Sequence, residues 1–116
     1  MIRVALADYD PRWVTQFETH RARIASALEG RTFRIEHIGS TSVPGLAAKP
    51  VVDVVVIGVA HDDCQVRVSL ETAGYELAVD EAGHRMYKTP ERSAHVHLWA
   101  DDTRAQDQLT FRDWLR

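Results

Sequence analysis

The residues best suited to chemistry form a hydroxyl-rich turn that is followed, in the next apolar run, by an isolated carboxylate. The carboxylate is Asp53, and the turn consists of Gly39, Ser40, Thr41 and Ser42. A turn that offers N–H and hydroxyl groups can hold phosphate oxygens. A carboxylate fixed on the neighbouring strand can hold the divalent ion that accompanies phosphates. The pattern therefore predicts a nucleotide or phosphate site.

Asp53 has two interpretations, one functional and one structural. An ionised carboxylate inside the apolar run 51–57 is unfavourable unless it is paired, hydrogen-bonded or bound to a metal. It either belongs to a site or accepts hydrogen bonds from the neighbouring turn as a structural group. We favour the site, because perturbed carboxylates beside clefts are often functional.

Three histidines extend this prediction. His95 and His97 are two residues apart, so a strand would place both imidazoles on one face of its sheet. Such a pair can bind a metal ion or a phosphate, although packed histidines are equally common. His37 lies two residues before Gly39 of the turn and is a third candidate ligand.

Basic residues near these positions are candidates for phosphate binding. Lys49 stands out because it lies between the turn and Asp53, in a segment that holds no other charge. The other candidates are Arg85, Lys88 and Arg112. Cys64, the only cysteine, follows two acidic residues and no basic one, so we do not expect a catalytic thiol.

The elements that must position these side chains follow from periodicity and capping residues. Asp10 and Pro11 begin a first helix, and Asp101 or Asp102 begins a last one. The first expected elements are an edge strand or an extended lead-in at 2–7, a helix at 11–29, a strand at 32–38 and a helical turn near 44–48. A strand at 51–57 and a helix from Asp62-Asp63 to Gly74 follow, then strands at 75–79, 85–88 and 94–100, and the last helix. This order predicts a mixed α/β fold.

Composition restricts the class of protein. With 116 residues we expect one domain. The net charge of −3 gives no case for nucleic-acid binding. The absence of a long apolar run argues against a membrane span, and a single cysteine favours a reducing compartment. We therefore expect a cytoplasmic protein.

The chain resembles the GrpB-like family of the nucleotidyltransferase superfamily, through motifs that occur in order along its whole length. These motifs are Tyr9-Asp10-Pro11-Arg12-Trp13, the segment from Glu36 to Asp53, Gly74-Tyr75, Arg85-Met86-Tyr87-Lys88, His95-Val96-His97, and the segment from Phe111 to Arg116. The resemblance implies a nucleotidyltransferase-like mixed β-sheet flanked by helices. It also implies a single domain over residues 1–116 that lacks the helical extension with which relatives continue.

The resemblance further implies a division of roles. In the superfamily a Gly-Ser turn holds the triphosphate, and an Asp-x-Asp/Glu pair on the next strand binds two metal ions. Gly39 and Ser40 match the turn and Asp53 matches the first acid, but Val55 stands where the second acid is expected. His95 and His97 occupy the later strand. One acid with imidazoles favours a single ion and suits Zn or Mn better than Mg.

Three functions are consistent with these features. In the first, the protein transfers a nucleotidyl group from a nucleoside triphosphate to an acceptor, with Asp53 and His97 as catalytic residues. The ion, Mg, Mn or Zn, is then held by Asp53, His37, His95 and His97, and the phosphates by Gly39, Ser40, Thr41, Ser42, Lys49, Arg85 and Lys88.

In the second, the domain is a non-catalytic nucleotide or phosphate-binding module linked to coenzyme A metabolism, since GrpB-like domains also occur attached to dephospho-CoA kinase. In the third, it is a single-metal hydrolase. We also expect a homodimer through the C-terminal helix, whose apolar residues Leu109, Phe111, Trp114 and Leu115 need cover.

Overall fold

The fold combines a five-stranded sheet with three α-helices in a computed structural model that describes residues 5–116. Its elements are α1 (Arg12–Ala27), β1 (Arg34–Ile38), a 3-10 turn (Ser40–Ser42), β2 (Val52–Ile57), α2 (Cys64–Thr72), β3 (Glu76–Glu81), β4 (His84–Lys88), β5 (Ala94–Trp99) and α3 (Asp102–Leu115). This order confirms the mixed α/β class. The five strands exceed those of a simple βαβ repeat.

Aspartates begin the three helices, as the sequence predicts. The Asp10 carboxylate accepts the N–H of Arg12 at 2.9 Å, and Pro11 already has helical dihedral angles. Asp63 accepts two N–H groups at the start of α2, and Asp101 accepts the N–H of Thr103 at 2.9 Å. Each carboxylate satisfies donors that have no partner inside the helix.

The strands are ordered β1-β2-β5-β4-β3 across the sheet. β2 and β5 are parallel, while the other neighbouring pairs are antiparallel. In this register Asp53 lies opposite Ile38 on one side and His95 on the other. The parallel pairing of two interior strands therefore brings Asp53 and the histidine pair side by side.

Alternation along the strands separates two faces. The back face carries Val54 and Val96 and packs against α1 and α2 in a large apolar core. The front face carries Asp53, His95 and His97, and α3 covers only part of it. Beneath α3 lies a smaller apolar cluster of Ile38, Val55, Ile57, Ala105 and Leu109, with Trp99 packed against it.

One predicted element differs from the structure, and another is described only in part. The helical turn expected near 44–48 is wrong: the helical residues are Ser40–Ser42, and the chain then turns through Gly45, whose φ of +81° is incompatible with a right-handed helix. Of the edge strand or extended lead-in expected at 2–7, residues 2–4 lie outside the described residues, and Ala7 forms an isolated antiparallel bridge with Ala48. Within residues 5–116, no helix is long and apolar enough to cross a membrane.

Candidate metal and phosphate site

Asp53, His95 and His97 converge on the front face of the sheet. The Oδ1 atom of Asp53 lies 3.5 Å from Nδ1 of His95 and 3.4 Å from Nε2 of His97. One ligand atom from each of the three side chains lies within 4.8 Å of the others. All three side chains are half-buried, so the group is fixed by the sheet and still accessible from solvent.

The spacing of these atoms matches a set of ligands better than a set of hydrogen bonds. Hydrogen bonds between nitrogen and oxygen measure about 2.7–3.2 Å. Two ligands that bind one ion tetrahedrally at about 2.0–2.1 Å lie about 3.4 Å apart. The two distances to Asp53, 3.4 and 3.5 Å, agree with the second value. Two imidazoles and one carboxylate are also a donor set that first-row transition metals accept.

Electrostatics around His95 favour the neutral imidazole. Burial lowers the pKa of His95, and the Asp53 carboxylate opposes this shift without reversing it. Lys49, which is exposed at the rim of the same cleft, lowers the pKa of His95 further. A neutral imidazole is the form that binds a metal ion.

Gly39 allows the turn to approach Asp53 closely. Its φ of +73° is in the region that favours glycine, and a Cβ atom there would lie 2.6 Å from Oδ2 of Asp53. The carboxylate therefore packs directly against the backbone of the turn, in the space that any other residue would fill.

The hydroxyl groups of the turn have different partners. Thr41 Oγ1 is buried, donates to the carbonyl of Val51 at 3.3 Å and lies 2.9 Å from His37 Nε2. Ser42 Oγ donates to the carbonyl of Gly39. Ser40 is exposed and lines the cleft beside Asp53. Thr41 and Ser42 thus hold the shape of the turn, and Ser40 faces the space where a ligand would lie.

Two clefts meet at Asp53. One, of about 140 Å³, is lined by the turn, Lys49 and His95. The other, of about 340 Å³, is lined by His97 and by Gln108 and Phe111 of α3. A ligand that reaches Asp53 from either side therefore meets a different lining, basic and polar in one cleft and largely apolar in the other.

Four predicted site residues are placed elsewhere or are already paired. His37 lies on the back face, stacked on Phe17, and burial lowers its pKa to about 4. Arg85 lies on the back face because of the register of β4 against β5, and it pairs with Asp80.

Lys88 lies beside His95 on the front face but pairs with Glu76 at 2.9 Å. Arg112 joins α3 to β1 through Glu36 at 3.1 Å and the His37 carbonyl at 3.0 Å. The structure thus brings Asp53, His95, His97, Ser40 and Lys49 together, and does not bring His37 or Arg85 to them.

Two residues at the site were not expected from the sequence. His84 Nε2 lies 3.1 Å from His97 Nδ1, and His84 Nδ1 lies 2.8 Å from the Glu81 carboxylate. β3 and β4 form a hairpin with a turn at Ala82-Gly83, and β4 also pairs with β5, so that His84 lies opposite Trp99. The strands were predicted, but the register of β4 against β5 depends on contacts between strands that no local pattern shows.

Position 55, where a second acid would stand, is closed to solvent. Val55 is fully buried beneath α3, in the cluster with Ala105 and Leu109. Among the described residues, the group that could hold a metal ion contains a single carboxylate. The site therefore suits one ion.

The apolar face of α3 is largely uncovered beyond this cluster. Phe111 is 63% exposed and Trp114 is 79% exposed. Phe111 lies at the rim of the larger cleft, so this aromatic surface adjoins the site.

Comparison with solved structures relates this fold to known proteins. The crystal structure of the conserved protein GrpB from Enterococcus faecalis superposes with a TM-score of 0.84 at 36% identity, over 97% of this chain and 72% of that one. The Cid1 poly(U) polymerase bound to MgGTP superposes with a TM-score of 0.59 at 17% identity, over 94% of this chain and 38% of that one. The second likeness shows that the fold is nucleotidyltransferase-like.

Sequence relatives show the family. A UPF0157 protein of Streptomyces coelicolor is 48% identical over 99% of this chain and 62% of its own length. A dephospho-CoA kinase of Mycolicibacterium paratuberculosis is 31% identical over 97% of this chain and 35% of its own length. The chain thus spans about three fifths of the first of these relatives. The model of the GrpB protein family matches residues 3–116, and the chain belongs to this family.

Proposed function

We propose that this domain binds the phosphates of a nucleoside triphosphate together with one divalent transition-metal ion, and transfers the nucleotidyl group to an acceptor hydroxyl. The observation that carries the proposal is the convergence of Asp53, His95 and His97 directly beside the Gly39 turn. The nucleotidyltransferase-like fold supports it, because a turn and an acidic strand occupy corresponding places in that superfamily.

The donor set determines which ion is expected. Magnesium prefers oxygen ligands, whereas imidazole suits Zn, Cu, Fe and Ni, and the Asp53 carboxylate also suits Mn. Asp53, His95 and His97 would hold the ion and leave its remaining positions open. When bound, it would neutralise charge on the phosphate oxygens.

The residues of the chain would act on the phosphates through charge and position. Among the described residues, the ammonium group of Lys49 has no hydrogen-bond or ion-pair partner, although its backbone carbonyl accepts the N–H of Val51. Lys49 lines the smaller cleft with Ser40. In the reaction the acceptor oxygen forms a bond to the α-phosphorus, and the bond from that phosphorus to the bridging oxygen breaks. Pyrophosphate leaves with the bonding electrons, and the hydroxyl proton passes to water. Lys49 would stabilise the charge that develops on pyrophosphate.

A label-transfer assay tests the proposal. The protein is incubated with each of the four α-labelled triphosphates and Mg, Mn or Zn, and labelled products are separated from free nucleotide. We expect transfer with Mn or Zn, loss of transfer in Asp53→Asn, and a reduction of about tenfold in Lys49→Gln. Asp62→Asn and Arg21→Gln change comparable exposed charges away from the site and should retain full activity. Unchanged transfer in folded Asp53→Asn would refute the mechanism.

A second function, non-catalytic binding, is favoured by the burial of Val55. Because the position of the second acid lies in an apolar cluster, the site can retain phosphate binding without the two-ion chemistry of the superfamily. The relative that is a dephospho-CoA kinase suggests a coenzyme-A-like phosphate as the ligand. This function predicts that such a ligand raises the melting temperature without turnover. A ligand at 100 times its Kd stabilises the folded state by about 2.7 kcal/mol, and Asp53→Asn should reduce that gain.

A further inference from the structure

Hydrogen bonds join Glu81 to His84 and His84 to His97, and the other side of the His97 ring faces Asp53. The Glu81 carboxylate lies 2.8 Å from His84 Nδ1, and His84 Nε2 lies 3.1 Å from His97 Nδ1. The other nitrogen of His97, Nε2, faces Asp53 at 3.4 Å. The site described above uses only the last of these contacts.

The two rings meet edge to edge. Their planes differ by 12° and their centroids are 5.4 Å apart, while the facing nitrogens are 3.1 Å apart. Because the centroids are much farther apart than the facing nitrogens, the two nitrogens must lie between the ring centres, as in two rings that meet at their edges. The contact is therefore a directional hydrogen bond, in which one of the two facing nitrogens donates and the other accepts.

There are three gaps, Glu81–His84, His84–His97 and His97–Asp53, and two neutral imidazoles supply one N–H each. Two arrangements keep the His84–His97 hydrogen bond: both N–H groups on Nδ1, or both on Nε2. The distances favour Nδ1, because the Glu81–His84 gap of 2.8 Å has the length of a hydrogen bond and the His97–Asp53 gap of 3.4 Å is longer than one. His84 Nε2 then accepts the N–H of His97 Nδ1, so the lone pair on His97 Nε2 faces the Asp53 carboxylate.

Two electron-rich atoms that face each other repel unless a cation lies between them. The third gap is also the longest of the three. The arrangement imposed by Glu81 and His84 thus prepares His97 to bind a metal ion through Nε2. In known metal sites, ligating histidines are oriented in this way by partners on their other nitrogen.

His84 is itself held firmly. It is buried, and its ring stacks on Trp99 with centroids 3.8 Å apart and planes 17° apart. Glu81 is its cross-strand partner in the β3–β4 hairpin. A hairpin outside the predicted site therefore controls the orientation of a residue within it.

We propose that Glu81 and His84 are positioning residues that fix His97 as the Nδ1–H tautomer and thereby set the affinity of the Asp53–His95–His97 group for a transition-metal ion. The tautomer follows from the hydrogen bonds alone, whereas the effect on affinity rests on the proposed function. Two measurements therefore separate the two claims.

The first measurement is the tautomer of His97 in the metal-free chain, read from the ¹⁵N shifts of its ring nitrogens. We expect Nδ1–H in the native protein. In His84→Phe, which keeps the stack on Trp99 but removes the acceptor, we expect a shift toward Nε2–H. A native Nε2–H tautomer, or no change in His84→Phe, would overturn the proposal.

The second measurement is the affinity for Zn²⁺ and Co²⁺ by titration calorimetry. We expect His84→Phe to weaken binding 10–100-fold, and Glu81→Gln to weaken it less, because an amide oxygen can still accept from His84. His20→Phe replaces a histidine that is equally buried, on the back face, and should leave affinity unchanged, as should Glu71→Gln on α2. Equal affinity in His84→Phe and His20→Phe would refute the positioning role. If the native chain binds neither ion, the metal part of the proposed function fails, and the tautomer measurement alone decides the role of Glu81 and His84.

Discussion

The two faces of β5 differ sharply although they alternate residue by residue. Ala94, Val96 and Leu98 point to the back face and are completely buried in the apolar core. His95 and His97 point to the front face and remain partly accessible beside Asp53. Neighbouring residues of one strand thus belong to different environments, one dry and apolar, the other polar and open to ligands.

The difference shows how a small domain separates stability from chemistry. The back face excludes water and supplies most of the hydrophobic stabilisation. The front face presents polar side chains that are only partly buried, so their loss removes little apolar contact. Substitutions one residue apart on the same strand should therefore have opposite consequences for folding and for metal binding.

The largest expected effect is a loss of stability from the back face. Leu98→Ala removes buried methyl groups and should lower the free energy of unfolding by about 2–5 kcal/mol. The adjacent His97→Gln should change it by less than about 1 kcal/mol. Urea unfolding in the presence of a chelator measures both. Below the unfolding transition, Leu98→Ala should retain the Zn²⁺ affinity of the native chain, whereas His97→Gln should lose at least tenfold.

The same two substitutions can also contradict the separation of a stabilising face from a ligand-binding face. If His97→Gln destabilises the metal-free protein as much as Leu98→Ala does, His97 is a packing residue. The separation of the two faces would then not extend to function.

A second effect is the loss of stability at low pH, which distinguishes His37 from the front-face histidines. Burial, followed by the nearby Arg116, lowers the pKa of His37 from its ordinary 6.5 to about 4. Because this pKa is depressed in the folded state, the stability it contributes is complete above pH 6.5 and is lost as the pH falls through 4. At pH 4 the free energy of unfolding should be about 3 kcal/mol lower than at pH 7 through this group.

Urea unfolding of metal-free protein between pH 7 and pH 4 tests this effect against His37→Gln. His20 also has a pKa lowered by burial, so the native chain and the variant share its contribution. The variant should lose about 3 kcal/mol less over this range. Parallel pH profiles for the two proteins would show that His37 is accessible to protons without unfolding, contrary to its burial.

The sequence predicted the elements of the fold because their signals are local. Asp10, Asp63 and Asp101 cap helices through contacts that span two or three residues. The alternation along β5 likewise places His95 and His97 on one face without reference to other strands. Only the helical turn near 44–48 was wrong, since Gly45 adopts a positive φ that the apolar pattern does not show.

The composition of the site depended on contacts between strands, which the sequence does not show. Asp53 meets the histidine pair because β2 is parallel to β5 in a particular register. The antiparallel register of β1 against β2 turns Ile38, and not His37, to the face of Asp53. His84 joins the site, and Arg85 is turned away from it, through the register of β4 against β5. A shift of one residue would exchange these outcomes.

The smallest of the three effects tests the boundary between the two faces, at Gly39. In Gly39→Ala a non-glycine residue must adopt a left-handed backbone conformation, which should lower the free energy of unfolding by about 1–3 kcal/mol. The new Cβ atom would also lie 2.6 Å from Oδ2 of Asp53. The carboxylate must then move. Gly30→Ala has a similar φ of +89° but open space around its Cβ, so it reproduces the backbone strain without the contact.

The two alanine variants should therefore lose similar stability in urea, while Zn²⁺ affinity falls at least tenfold in Gly39→Ala alone. The difference in Zn²⁺ affinity between the two variants therefore reports the displacement of Asp53, without the contribution of backbone strain. Equal affinity in both variants would mean that the carboxylate can shift without consequence. Asp53 would then be a structural partner of the turn, and the front face would lose its oxygen ligand.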